Sequence, residues 1–143
     1  MRVHLLQNLK DYAEHLSAAL INDKIFPCIV TGFSDTLPLL RELTVKSMVL
    51  IVSKLSPTLI ETKLLKHLAA LQTDTEAAIR TNTTYCIAKI APHLTEKTRA
   101  KVLIPGFGKA LRDPFPPARM AALVSIGVTL PYYSPADCAS KVK

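Results

Sequence analysis

Four arginines, Arg2, Arg41, Arg80 and Arg119, recur every 39 residues, and Asp35, Asp74 and Asp113 each precede an arginine by six. A fixed period of that length is the span of two packed helices with short turns. Such a chain folds as stacked copies, because each copy can bury its apolar side only against a neighbour. Four glycines, no tryptophan and 6% aromatic residues in 143 suit helices better than sheets. The ten prolines are compatible with this because they fall at fixed places in the repeat.

Aligned on the arginines, other columns acquire roles. Ser17, Ser56, Thr95 and Ser134 each stand fifteen residues after an arginine. A hydroxyl there accepts a hydrogen bond from an amide at a helix start, and Pro57 and Pro135 follow where proline loses no bond. Each hydroxyl therefore opens the first helix of a pair. Ile25, Phe26 and Ile29, then Leu64, Leu65 and Leu68, then Leu103, Ile104 and Phe107 mark one face of that helix. Pro27 and Pro105 share a column inside it, so a kink is expected in those two copies. The aspartate sits in the following turn, where it is expected to accept backbone amides and cap the second helix. Pro38, Pro116 and Pro117 mark that helix's start, while Leu9, Met48, Ile87 and Ile126, and seven residues later Leu16, Leu55, Leu94 and Tyr133, face the core.

The expected organisation is an orphan second helix over 1–16, repeats over 17–55, 56–94 and 95–133, and a truncated first helix over 134–143. The chain thus reads as an all-α, right-handed α-solenoid of about three and a half antiparallel helix pairs, with both ends cut from a longer array.

Net charge is +7, from 18 Lys and Arg against 11 Asp and Glu. It permits attraction to nucleic acid, anionic lipid or an acidic protein segment and selects none of them. Cys28, Cys86 and Cys138 are odd in number and lack partners at ligand spacing, which suits a reducing compartment and no metal. No apolar stretch approaches the ~20 residues of a membrane span, and no secretory leader opens the chain.

Three copies of an Asp and Arg pair argue against an active site, which is needed once. Arg2, Arg41, Arg80, Arg119, Asp35, Asp74 and Asp113 are therefore expected to form an inter-repeat ladder that fixes register. Asn82, Thr83 and Thr84 match a glycosylation acceptor but fall on a helix, where hydroxyls return hydrogen bonds to the preceding turn. Gly106 and Gly108 flank Phe107 and read as close packing. His4, His15, His67 and His93 lack ligand spacing, and no local motif supports a catalytic triad, cofactor or nucleotide loop.

Two surfaces could hold partners. Lys97, Lys101, Lys109 and Arg112 fall within about a third of a turn and form a basic stripe for nucleic acid or anionic lipid. Opposite the core face of the third second helix stand Met120, Val124, Val128 and Pro131, with Leu50, Tyr85, Lys46 and Lys89 on neighbouring helices. Such an apolar strip with a basic border suits a partner helix or extended peptide. Exposed apolar ends also permit self-association.

The paired helices with a turn aspartate and an arginine six later resemble HEAT repeats. More specifically, KIFPCIVTGFSDTLPLLRELTVKSM (Lys24 to Met48), RTNTTYCIAKI (Arg80 to Ile90) and RDPFPPAR (Arg112 to Arg119) resemble the central region of the Scy-like pseudokinases. That resemblance implies a non-enzymatic scaffold joined to an inactive kinase-like domain, working with coatomer in Golgi to endoplasmic reticulum traffic. It implies a cytoplasmic protein, peripheral at Golgi or intermediate-compartment membranes, whose coat or traffic partners are met through the parent protein, so that this segment alone is expected to bind neither nucleotide nor coatomer by the family's routes. Some members are linked to nuclear tRNA export, which makes a tRNA-binding segment the alternative.

Overall fold

A computed structural model describes residues 2–136, all of whose regular structure is helical. Of the expected truncated first helix, 134 is described and not helical, 135–136 are helical, and 137–143, with Cys138, lie outside the described residues.

The orphan helix runs through Arg2–Gln7 and Leu9–Tyr12 and tightens into a 3₁₀ turn at Ala13–His15. Three helix pairs follow. Their second helices are Pro38–Ile51, Ala77–Ile90 and Pro116–Thr129, each ending in a 3₁₀ turn at Val52–Lys54, Ala91–His93 and Leu130–Tyr132. Arg2–Gln7 packs on Pro38–Ile51, that helix on Ala77–Ile90, and that one on Pro116–Thr129. The second helices therefore lie side by side as a continuous layer, and the first helices pack against them.

Ser17, Ser56 and Thr95 are the N-caps of the first helices, accepting from the backbone N–H of Leu20, Leu59 and Thr98 at 3.2–3.3 Å. The aspartates do not cap the second helices. Asp35, Asp74 and Asp113 each accept at 2.9 Å from the residue two further on, Leu37, Glu76 or Phe115. Those acceptors brace the turn, and the cap positions themselves make no side-chain cap bond, because an Asx turn places the carboxylate before the helix.

The π-helical turns of the first helices do not follow the proline column. The first copy passes from Ala18–Leu20 through a π-helical turn, Ile21–Ile25, to Phe26–Ile29, which holds Pro27. The second copy has the same π turn at Ile60–Leu64 although Lys66 stands in the proline column. The third is a single α-helix over Glu96–Ala110 with Pro105 inside it. The π turns coincide with Asn22 and Glu61, whose side chains reach the next copy, and not with proline. Wider turns of this kind re-aim side chains within an otherwise regular helix.

The core is one continuous cluster from Leu9 to Phe107, with Met48, Ile87, Leu55 and Leu94 buried and Ile126, Leu16 and Tyr133 half-buried against it. Phe26, Leu64, Leu68, Leu103 and Phe107 supply it from the first helices. Each fully buried Leu, Ile or Phe contributes roughly 1.5–3 kcal/mol, so the stacked apolar columns outweigh any single surface interaction.

Candidate functional site

The repeated arginines and aspartates meet across copies. Arg41 Nε and Nη2 donate to Asp74 at 2.7 and 3.0 Å, and Arg80 does the same to Asp113. In both, Nη1 turns back at 2.8 Å to the backbone carbonyl of its own copy's aspartate, Asp35 or Asp74. One guanidinium thus fastens its own turn and grips the next. Side-chain exposures of 14% and 6% for Arg41 and Asp74, and 17% and 9% for Arg80 and Asp113, leave little water to compete. The hydrogen bond from Arg80, against the opposing effect of burial, holds the Asp113 carboxyl below its ordinary range. Burial raises Asp74, but Arg41 and the Glu76 amide outweigh it and its pKa is lowered; both arginines are raised in turn, chiefly by their carboxylate bonds.

The ends of the series differ. Arg2 is 67% exposed and only reaches 4.0 Å from Asp35. Arg119 keeps the contacts to its own turn, Asp113 and Pro114 carbonyls at 2.8 and 3.1 Å.

A second inter-copy link went unpredicted. Asn22 accepts from Ser56 N–H at 2.8 Å and donates to the Lys54 carbonyl, while Glu61, 39 residues later, accepts from Thr95 and Thr98 hydroxyls at 3.3 and 2.7 Å. Two polar residues in one otherwise unremarked column were the available signal. Lys54 also donates to the carbonyls of Ala13, Glu14 and Leu16 at 2.8–2.9 Å, closing the end of the orphan helix.

The partner candidates separate. Lys46, Leu50, Tyr85 and Lys89 line one groove of about 550 Å3, together with Leu6, Gln7, Lys10, Leu43 and Val49. Val124 and Val128 continue the columns of Lys46 and Tyr85, and of Leu50 and Lys89, on the next second helix, and both are exposed. Met120 stands one turn before Val124, about 40° round the same helix, and is exposed like it. Its column holds half-buried Glu42 and Thr81, and exposed Leu123 beside it continues the column of buried Val45 and Thr84. Pro131 lies past the helix in the turn Leu130–Tyr132.

Lys97, Lys101, Lys109 and Arg112 are all exposed on and just after Glu96–Ala110 and form no ion pair among the described residues. Asn82 is half-buried and donates to Glu42 at 3.0 Å, and Thr83 and Thr84 are buried and bonded to Ile79 and Arg80 carbonyls, so this acceptor sequence is structural. A side chain at Gly106 would press on Gln72 Nε2 at 3.1 Å, whose amide donates to the Gly106 carbonyl. Gly108 meets nothing within 4 Å; close packing accounts for Gly106 only, and the bare position opens a cleft of about 710 Å3 beside Lys109 and Arg112. His67 stacks on Phe33 at 5.0 Å, while His4, His15 and His93 are exposed. No cluster of three or more His, Cys, Asp and Glu at metal-binding distance occurs among the described residues.

No protein-family model matches the chain. It is 47% identical over 143 residues to "Probable inactive serine/threonine-protein kinase scy1" of Dictyostelium discoideum, covering 99% of this chain and 17% of that protein. It is 32% identical over 138 residues to "Protein kinase domain-containing protein ppk3" of Schizosaccharomyces pombe, covering 96% of this chain and 22% of that one. Among solved structures, the crystal structure of Cex1p superposes with a TM-score of 0.91 at 32% identity over 99% of this chain and 27% of that one. The chain therefore spans about a fifth of the length of the curated relatives it matches. With its layered helix pairs and this likeness over nearly every residue, it belongs to the Scy-like family of kinase-related proteins, as an α-solenoid segment.

Proposed function

We propose that this chain is a non-catalytic protein-interaction scaffold, the repeat segment of a kinase-like adaptor in vesicle traffic between Golgi and endoplasmic reticulum. One observation carries the scaffold reading. The residues that recur are engaged in inter-copy bonds, whereas the exposed columns of the second-helix layer change from Lys46 to Tyr85 to Val124 and from Leu50 to Lys89 to Val128. A repeating frame with a varied face is how solenoids present a binding surface. Absence of catalysis follows the name of the scy1 relative, which describes an inactive kinase. The coat and Golgi assignment follows the family resemblance, with a cytoplasmic, membrane-peripheral location. No helix among the described residues is long and apolar enough to cross a membrane.

The test is affinity capture of coat and traffic proteins by the chain and by V124E. Capture of traffic proteins, lost in V124E with an unchanged melting temperature, supports the reading; capture indifferent to V124E contradicts it. A large stability loss in V124E would instead place Val124 in the core.

A second reading, a tRNA-binding segment, is favoured by the exposed stripe of Lys97, Lys101, Lys109 and Arg112. Its signature is tRNA affinity that falls steeply with salt and vanishes on reversing those four charges. No binding at low salt excludes it.

A further inference from the structure

The groove on the second-helix layer has a chemistry that specifies its occupant. Its floor is aliphatic, from Leu6, Leu43, Val49 and Leu50, with the half-buried Tyr85 ring beside them. Three exposed lysines border it, one from each contributing helix: Lys10, Lys46 and Lys89. They are not equivalent. Lys46 is held at 2.7 Å by Glu42, so its charge is answered within the protein. Lys10 and Lys89 have no ion-pair partner among the described residues.

Two uncompensated ammonium groups therefore stand on the outer helices with apolar surface between them. Packed helices lie 8–10 Å apart, which sets Lys10 and Lys89 about 16–20 Å apart across the layer. An extended chain advances about 3.3 Å per residue and crosses that distance in about five or six residues.

We propose that the groove binds an extended peptide segment with two carboxylate side chains about five or six residues apart and an apolar residue between them. The carboxylates meet Lys10 and Lys89, and the apolar side chain covers Leu50 and Tyr85. This names the partner class for the scaffold reading above and rests on it. Nucleic acid fits the groove less well: no arginine lines it, Tyr85 is its one aromatic residue, and single strands are held by successive stacked bases.

The probe is a fluorescein-labelled ten-residue peptide with two glutamates six positions apart and a leucine midway, titrated by anisotropy onto the 143-residue chain. Binding is expected to weaken at least ten-fold when the glutamates become lysines. It is expected to weaken equally in K10E/K89E, which should prefer the lysine peptide, and to be lost in L50E. All three positions are exposed, so melting curves of the variants should match the parent. Equal affinity for acidic and basic peptides, or indifference to K10E/K89E, overturns the proposal, as does salt-steep tRNA binding lost in K10E/K89E. No peptide binding, with coat proteins still captured in a V124E-sensitive way, overturns the groove assignment and leaves the scaffold reading intact. Peptide binding as expected, with no capture of coat proteins, has the opposite meaning.

Discussion

Removing Asp113 should cost this fold far more than removing a surface carboxylate. In D113A, Arg80 Nε and Nη2 lose acceptors at 2.7 and 3.0 Å, and the Phe115 amide loses one at 2.9 Å. With 17% of its side chain exposed, Arg80 cannot regain full hydration. Stripping one partner from a buried pair costs about 3–5 kcal/mol, and some residual exposure places this case near 3. The lost turn bond adds about 1 kcal/mol. A total of about 4 kcal/mol is a large share of a typical 5–15 and should lower Tm by about 12 °C. D113N keeps an acceptor for the turn and should cost about half as much.

Urea unfolding of parent, D113A, R80M and R80M/D113A, followed by far-UV circular dichroism, gives the coupling energy between the two side chains. We expect about 2 kcal/mol or more, because the double variant strands no charge. R2A is the internal control: its partner is 4.0 Å away and it is 67% exposed, so its effect should stay below about 0.5 kcal/mol. A coupling energy as small as that for Arg80 and Asp113 would refute the ladder as a register lock. The pair also predicts a pH dependence. Because the folded carboxyl titrates below its ordinary range, its stabilisation is present above the unfolded pKa of about 4 and disappears as pH falls through the folded value. D113N should flatten that acid limb.

Ile87 is buried at the centre of the cluster, and I87D, which loses about 3 kcal/mol of burial and introduces an unpaired charge, should abolish the cooperative melt; a melt near the parent temperature would contradict the column assignment. His67 is held below its ordinary pKa by burial, so the fold binds fewer protons there and stability should fall as pH drops below about 6.5, a slope that H67F should remove from urea midpoints measured between pH 5 and 7. Burial pushes the Cys86 thiol up to about 12, whereas Cys28 is exposed; iodoacetamide at pH 8 should label Cys28 and reach Cys86 only after unfolding, and rapid labelling of Cys86 in the native chain would contradict its placement.

What could be read in advance was whatever repeats. The hydroxyl caps at Ser17, Ser56 and Thr95, and the apolar columns through Met48 and Ile87, follow from local amide chemistry and helical spacing, both of which the period makes visible. The Asp and Arg link was visible as a spacing of six, yet at that distance the arginine meets only the aspartate's backbone carbonyl; its carboxylate partner is 33 residues away. That the link recurs in each copy marked it as a ladder between copies, but the period does not show which atoms make it. Likewise Pro27 and Pro105 drew attention to one column, but the wide turns do not follow it. The π turns at Ile21–Ile25 and Ile60–Leu64 accompany the tertiary reach of Asn22 and Glu61.

The departures from periodicity are where function should be sought. A residue that must hold one copy to the next is constrained in every copy, and Arg41 with Asp74 has the same atoms at the same distances as Arg80 with Asp113. A residue that meets an irregular partner has no reason to recur. Along the second-helix layer the two exposed columns read Gln7, Lys46, Tyr85, Val124 and Asp11, Leu50, Lys89, Val128, mixing charge, aromatic and aliphatic character without order. The first helices show the same contrast: the basic stripe is confined to the third copy, and Arg99 there occupies the column of buried Ile21 and Ile60, its guanidinium 4.7 Å from the Tyr132 ring. Variation in the exposed columns of the second-helix layer costs the stacked core little, because those side chains lie outside the apolar columns. The frame can therefore be kept while the exposed layer is fitted to a partner, which is why substitutions at Lys10, Leu50 and Lys89 should change binding and leave the melting curve where it was.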